Sequence, residues 1–123
     1  MEIKELTRAE EQLMQILWQL KKGFVKDVIE LLPEPKPAYN TVSTIIRILE
    51  TKGFVSHNAY GKSHEYYPLV SKEQYKNFAA DKLMNGYFDN SVKRMLSYFV
   101  KKEKIDINEA DEIIELIEKL KKK

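Results

Sequence analysis

Between Tyr39 and Gly53 the chain reads YNTVSTIIRILETKG, and its apolar residues Val42, Ile45, Ile46 and Leu49 recur at i, i+3, i+4 and i+7. That spacing predicts a helix with one buried face. At about 100° per residue, the opposite face carries Asn40, Thr44, Arg47 and Thr51, flanked by Ser43. Short hydrogen-bonding side chains and one long cation stand where a merely solvated face usually collects Lys and Glu. The next run, FVSHNAYGKSHEYYP, predicts a strand, a tip at Gly61-Lys62 and a second strand ending at Pro68.

Upstream, Thr7-Arg8-Ala9-Glu10 fits a capping box, with Leu6 placed to staple onto the first turn. Leu13, Ile16, Leu17 and Leu20 form the apolar stripe of the helix it opens, widened by Met14 and Trp18. Gly23 is expected to supply the left-handed exit from that helix. Phe24 and Val25 are expected as a very short strand, and Lys26 to Leu32 as a second helix through Val28, Ile29 and Leu32. Pro33, Pro35 and Pro37 forbid helix and stiffen the connection to the next one. Helix, proline-rich turn, helix and two-stranded ribbon together make the layout of a winged helix-turn-helix.

Downstream, Ser71-Lys72-Glu73-Gln74 is a second capping box, opening a helix with Tyr75, Phe78, Ala79 and Leu83 on one face and an interruption at Gly86. Asp89 or Asn90 is expected to cap a further helix carrying Val92, Met95, Leu96 and Phe99. Asn108 is expected to cap a last one carrying Ala110, Ile113, Ile114, Ile117 and Leu120, its apolar face enlarged by Leu116. Lys121 to Lys123 reads as a solvated helix end. Three short helices over about fifty residues are too few for a separate core. Their apolar surface either meets a second copy of the chain or packs back on the winged helix, and the first is preferred, through Leu96, Phe99, Ile113, Leu116, Ile117 and Leu120. The expected fold class is therefore mainly α with a small β wing: a winged helix-turn-helix domain over residues 1–70 and a three-helix dimerisation domain over residues 71–123.

Charge changes this picture only through its placement. The 123 residues hold 21 Lys plus Arg against 19 Asp plus Glu, a net charge of +2, so there is no polyelectrolyte signature. Between Lys36 and His64, however, Lys36, Arg47, Lys52 and Lys62 face Glu50 alone, which makes the stretch of the polar helix face and the ribbon locally basic, as suits a polyanionic partner. Cysteine is absent, which removes disulfides, thiolate metal sites and cysteine nucleophiles and agrees with a reducing cytosol. The acidic opening MEIKELTRAEEQ is unlike a signal peptide, and no apolar run reaches the ~20 residues of a bilayer span, so a cytoplasmic protein is expected.

The residues Asn40-Thr41-Val42, Thr44, Leu49, Lys52-Gly53, Gly61 and Tyr66-Tyr67-Pro68, with Leu6-Thr7, Glu10, Met14 and Trp18 upstream, give the chain a resemblance to a known family. In order and spacing they resemble the penicillinase repressor (BlaI/MecI-like) family of winged-helix transcriptional repressors. The resemblance implies a homodimer on a two-fold symmetric DNA operator. It also implies release by a membrane-bound sensor protease that cuts the dimerisation domain, here at Tyr98-Phe99, with Tyr98 where those relatives have asparagine. Copper-responsive members use a C-terminal cysteine cluster that this chain lacks. Many relatives place an arginine where this chain has Ile48, and the cation here stands one position earlier, at Arg47.

On double-stranded DNA, Asn40, Ser43, Thr44 and Arg47 are assigned to the major groove, because the first turns of a recognition helix reach base edges. Tyr39 and Thr41 are assigned to backbone phosphates, and Lys62 to a phosphate across the groove. Two of these positions stay open: Asn40 is a helix cap or a base contact, and Tyr39 a packing residue or a phosphate contact. His57, His64 and Glu65 raise a metal site, but two histidines and a carboxylate without helical spacing are weak ligand chemistry, and no metal or cofactor is assigned. No nucleophile or phosphate-cradling motif is present, so an enzyme is not expected. A winged helix used purely for protein contact is the rival function.

Overall fold

The structure, a computed structural model, describes residues 2–121. Lys122 and Lys123 of the expected basic helix end lie outside the described residues. The element order is α1 (Arg8–Leu20), α2 (Val25–Glu30), α3 (Tyr39–Thr51), β1 (Val55–Tyr60), β2 (Ser63–Pro68), α4 (Lys72–Tyr87), α5 (Val92–Lys101) and α6 (Ile107–Lys121). By packing, the chain divides into a first unit that ends at Phe78 and a second that begins at Ala79, so the division falls inside α4.

The first unit is a mainly helical winged helix with a two-stranded antiparallel wing. Met14 and Leu17 of α1, Val28 of α2, Val42, Ile46 and Leu49 of α3, and Phe54 and Val55 at the start of the wing are wholly buried together. These are the apolar positions whose period predicted the helices, and burying such side chains contributes about 1.5 to 3 kcal/mol each. α1 opens with the predicted capping box: Glu10 N–H donates to Thr7 Oγ1 at 3.2 Å and Thr7 N–H to Glu10 Oε1 at 2.9 Å. Tyr75 anchors the start of α4 to this core. Its hydroxyl accepts from Leu6 N–H at 3.0 Å, and its ring meets Phe54 edge-on at 5.7 Å.

Several local expectations are corrected. α1 leaves through Lys21, at φ 72°, and Gly23 instead pairs with Tyr66 by two backbone hydrogen bonds of 2.8 and 2.9 Å. The expected strand at Phe24-Val25 shrinks to that one bridge, because Phe24 already caps α2. Gly86 does not interrupt α4; one glycine costs a helix only about 1 kcal/mol, and α4 runs on to Tyr87. Asp89 and Asn90 take left-handed φ values of 48° and 60°, so the cap of α5 is Ser91, whose Oγ accepts from Arg94 N–H at 3.1 Å. At α6 the capping side chain is Asp106, which accepts from Glu109 N–H at 2.7 Å, rather than Asn108.

Glu10 serves twice. Besides its capping role it binds Lys52 Nζ at 2.7 Å, joining α1 to the end of α3, and it is 5% exposed. Burial raises its carboxyl, but the Lys52 ammonium and the Thr7 donors outweigh that and hold it below the usual glutamate range. A carboxylate whose folded pKa is lowered adds stability that is complete above the unfolded pKa and is lost as pH falls towards the folded one. Glu10→Gln is therefore expected to cost about 1 to 2 kcal/mol at neutral pH, since Lys52 keeps partial access to water, and less in acid. Urea unfolding at both pH values checks this, and an equal loss at both would rule out the charge pair as the cause.

The second unit is built from the end of α4 with α5 and α6. Phe88, Tyr98 and Phe99 cluster with ring centroids 5.6 to 6.2 Å apart. No residue from Ala79 to Leu120 is buried.

Candidate nucleic-acid interface

α3 begins at Tyr39 because Pro37 cannot continue the preceding segment and Ala38 adopts extended backbone as the N-cap, without a side-chain bond to the helix. Asn40 is therefore inside the first turn, exposed and not acting as the cap, which removes one of its two sequence-level roles. Tyr39 is 58% exposed, so packing does not account for it either. Thr44 and Arg47 are exposed on the same face, and Thr41 beside them.

Ser43 differs from its neighbours. At 8% exposure it belongs to the floor of a cleft, and the helical period explains why: it lies at the edge of the buried stripe rather than opposite it. This cleft, about 260 Å³, runs between α3, the start of α2 and the wing, and its lining includes Lys26, Tyr39, Asn40, Ser43, Arg47, Lys62, His64 and Tyr66. The structure thus brings together Tyr39, Asn40, Ser43, Arg47 and Lys62, with Thr41 and Thr44 on the adjoining helix face. Two of the four cations counted in the sequence stand elsewhere. Lys52 is held by Glu10, and Lys36 Nζ donates to the Glu30 and Leu32 carbonyls at 2.8 and 2.7 Å, closing the end of α2. Lys26 replaces them at the cleft, and periodicity could not have revealed it, because it enters from a different helix.

The wing is tied to α3 by side chains. His57 Nδ1 lies 2.6 Å from Glu50 Oε2 of α3, and the His57 and His64 rings stack at 4.1 Å. In the strand register His57 opposes Tyr66, and Glu65 opposes Asn58 on the other face, so the carboxylate beside the histidines is Glu50 rather than the expected Glu65. Among the described residues no group of three His, Cys, Asp or Glu is placed to hold a metal ion. Burial, and next the Glu50 carboxylate, push the Tyr66 phenol above its ordinary range, with Arg47 opposing from beside it. Tyr66 thus stays neutral, and it lines the cleft together with Arg47.

The arrangement offers three cations from α2, α3 and the wing beside one exposed amide and a row of threonine side chains on α3, a surface suited to a polyanion with hydrogen-bonding edges. Known proteins with similar chains agree with the architecture. The methicillin resistance regulatory protein MecI of Staphylococcus aureus (strain N315) is 27% identical over 116 residues, covering 94% of each chain. The penicillinase repressor of Bacillus licheniformis is 21% identical over 120 residues, covering 97% of this chain and 94% of that one. The solution structure of the DNA-binding domain of the repressor BlaI superposes with a TM-score of 0.53 at 24% identity, over 60% of this chain and 92% of that one, and shows the same winged-helix fold. The model of the family described as penicillinase repressor matches residues 6–119, nearly the whole chain, and the chain belongs to that family.

Proposed function

We propose that this chain is a DNA-binding transcriptional repressor acting as a homodimer on a two-fold symmetric operator, with residues 1–70 as the DNA-binding domain and residues 71–123 as the dimerisation domain. The observation that carries the reading is the cleft in which Arg47, Lys26 and Lys62 converge beside the exposed face of α3. Family membership supports it, as does the fold shared with a domain named for binding DNA.

In this reading α3 enters the major groove, where Arg47 takes guanine O6 and N7 and Asn40 takes adenine N6 and N7. Thr44 Oγ1 already donates to the Asn40 carbonyl at 2.8 Å, so towards DNA it offers its methyl group and oxygen lone pairs. Ser43 lines the same cleft as Arg47 and faces the duplex from its floor. Tyr39 and Thr41 meet phosphates at the start of α3, and Lys62 meets a phosphate from the wing. Two such heads about 34 to 36 Å apart read two half-sites one turn apart. The protein acts in the cytoplasm; among the described residues no helix is long and apolar enough to cross a membrane.

Titrating labelled duplex at rising salt tests the reading. Phosphate contacts release counterions, so affinity is expected to fall steeply with salt, and Lys62→Ala to weaken all duplexes alike and reduce the log–log slope by about one. A protein-contact adaptor would show no duplex affinity to lose.

Release by a membrane-bound sensor protease cutting Tyr98-Phe99 is the second element of the proposal. Both residues lie within α5, where Lys102 N–H donates to the Tyr98 carbonyl at 3.0 Å and Lys104 N–H to the Phe99 carbonyl at 2.9 Å. The helix has to open locally before a protease can take this bond as extended chain. Mixing the chain with such a protease should yield a fragment ending at Tyr98 by mass spectrometry. An intact Tyr98-Phe99 bond after incubation would remove this element while leaving DNA binding untouched.

A further inference from the structure

The outward face of α3 holds a feature that hydrogen bonding to bases and phosphates does not use. Ile48 is 42% exposed there, on a helix whose buried stripe is already complete without it. Thr41, Thr44 and Thr51 are exposed with it, and the four positions repeat at i, i+3, i+7 and i+10, a second β-branched stripe facing away from the core. Two of its hydroxyls are turned back on the helix: Thr44 Oγ1 donates to the Asn40 carbonyl at 2.8 Å and Thr51 Oγ1 to the Arg47 carbonyl at 3.1 Å. With those protons committed, Thr44 and Thr51 keep no free donor beside Ile48, so this flank of the face presents methyl groups and oxygen lone pairs, and Arg47 and Asn40 stand between it and the cleft. An exposed isoleucine on a face otherwise built for polar contact calls for an apolar partner inside that same contact.

In the major groove the apolar group on a base edge is the 5-methyl of thymine. We propose that Ile48, with the Thr44 methyl beside it, is a specificity-determining residue that reads thymine methyl groups next to the base pairs contacted by Arg47 and Asn40. The inference rests on α3 entering DNA, and it assigns this flank a base preference that no hydrogen-bonding residue there would supply. Packing one methyl against Ile48 removes it from water, which corresponds to about a 4-fold gain in affinity per thymine read.

The test uses duplexes selected from a random-sequence pool by the full-length chain, each then prepared with thymine or with deoxyuridine, which lacks only the methyl. The wild-type chain is expected to bind the uracil form about 4-fold more weakly for each thymine facing Ile48. Ile48→Ala is expected to bind both forms alike, and Ile48→Val to keep part of the difference. Because Ile48 lies outside the core, circular dichroism of the variants should match the wild type. If wild type binds both forms equally, or if Ile48→Ala stays as sensitive to methyl loss as wild type, the assignment is overturned while DNA binding stands. Failure to recover any bound duplex would overturn the DNA-binding reading itself, and this inference with it.

Discussion

Leu116→Asp or Ile117→Asp is expected to leave the chain monomeric in sedimentation and to lower its affinity for a symmetric duplex by roughly 10²- to 10⁴-fold, the avidity that a second linked site provides. The expectation follows from where α6 spends its apolar surface. Leu116 is exposed on α6, and Ile117, Ile113, Ile114 and Leu96 line an apolar groove of about 550 Å³ between α5 and α6. With no buried residue from Ala79 to Leu120, these helices have the amphipathic pattern of packed elements while their apolar faces stay largely exposed. A second copy would bury that surface, and an aspartate placed there would need to desolvate its charge without a partner. Intact dimers of both variants would show that pairing uses other surfaces. A monomer that still bound the duplex as tightly as wild type would separate pairing from DNA affinity.

Arg47→Ala is expected to weaken binding to the preferred duplex by roughly 1 to 3 kcal/mol and to relax the preference at one base position. The expectation of a specific role follows from its place, because Arg47 lines the cleft together with Tyr66, Asn40 and Lys62 rather than standing alone on the surface. A planar guanidinium presents two parallel donors to one base edge, which a point charge does not. Fluorescence anisotropy against preferred and mutated duplexes would distinguish the two roles. Equal weakening on every sequence would make Arg47 a phosphate contact, and unchanged affinity would remove it from the interface.

The parts of this fold that were legible in the sequence are those governed by local period. Val42, Ile46 and Leu49 are buried as their spacing required, and the wing turns at Gly61-Lys62 as its strand pattern required. Both capping boxes formed, since each closes over three residues. Some misses are local, such as the caps of α5 and α6 and the continuation of α4 through Gly86, and others come from contacts across long sequence separations. Gly23 looks like a helix exit until its backbone partnership with Tyr66 is known. Lys52 counted towards a basic surface until Glu10 took it. Lys26 entered the site from α2, an element with no marked spacing to the residues it joins, and Glu50 met His57 through the turn from α3 into the wing. Ser43 seemed to belong with its polar neighbours, yet its position at the edge of the stripe places it in the cleft floor. For the second unit, apolar spacing named the helices, but no single-chain pattern states what covers them.

The absence of a buried residue between Ala79 and Leu120 has a consequence for dose. If α5 and α6 keep their shape only against another protomer, folding of the arm and pairing are a single event governed by mass action. Thermal melting of the arm should then rise with protein concentration, and occupancy of a paired site should climb with the square of monomer abundance at low levels. Dilution during growth would by itself loosen control, before any inducing signal arrives.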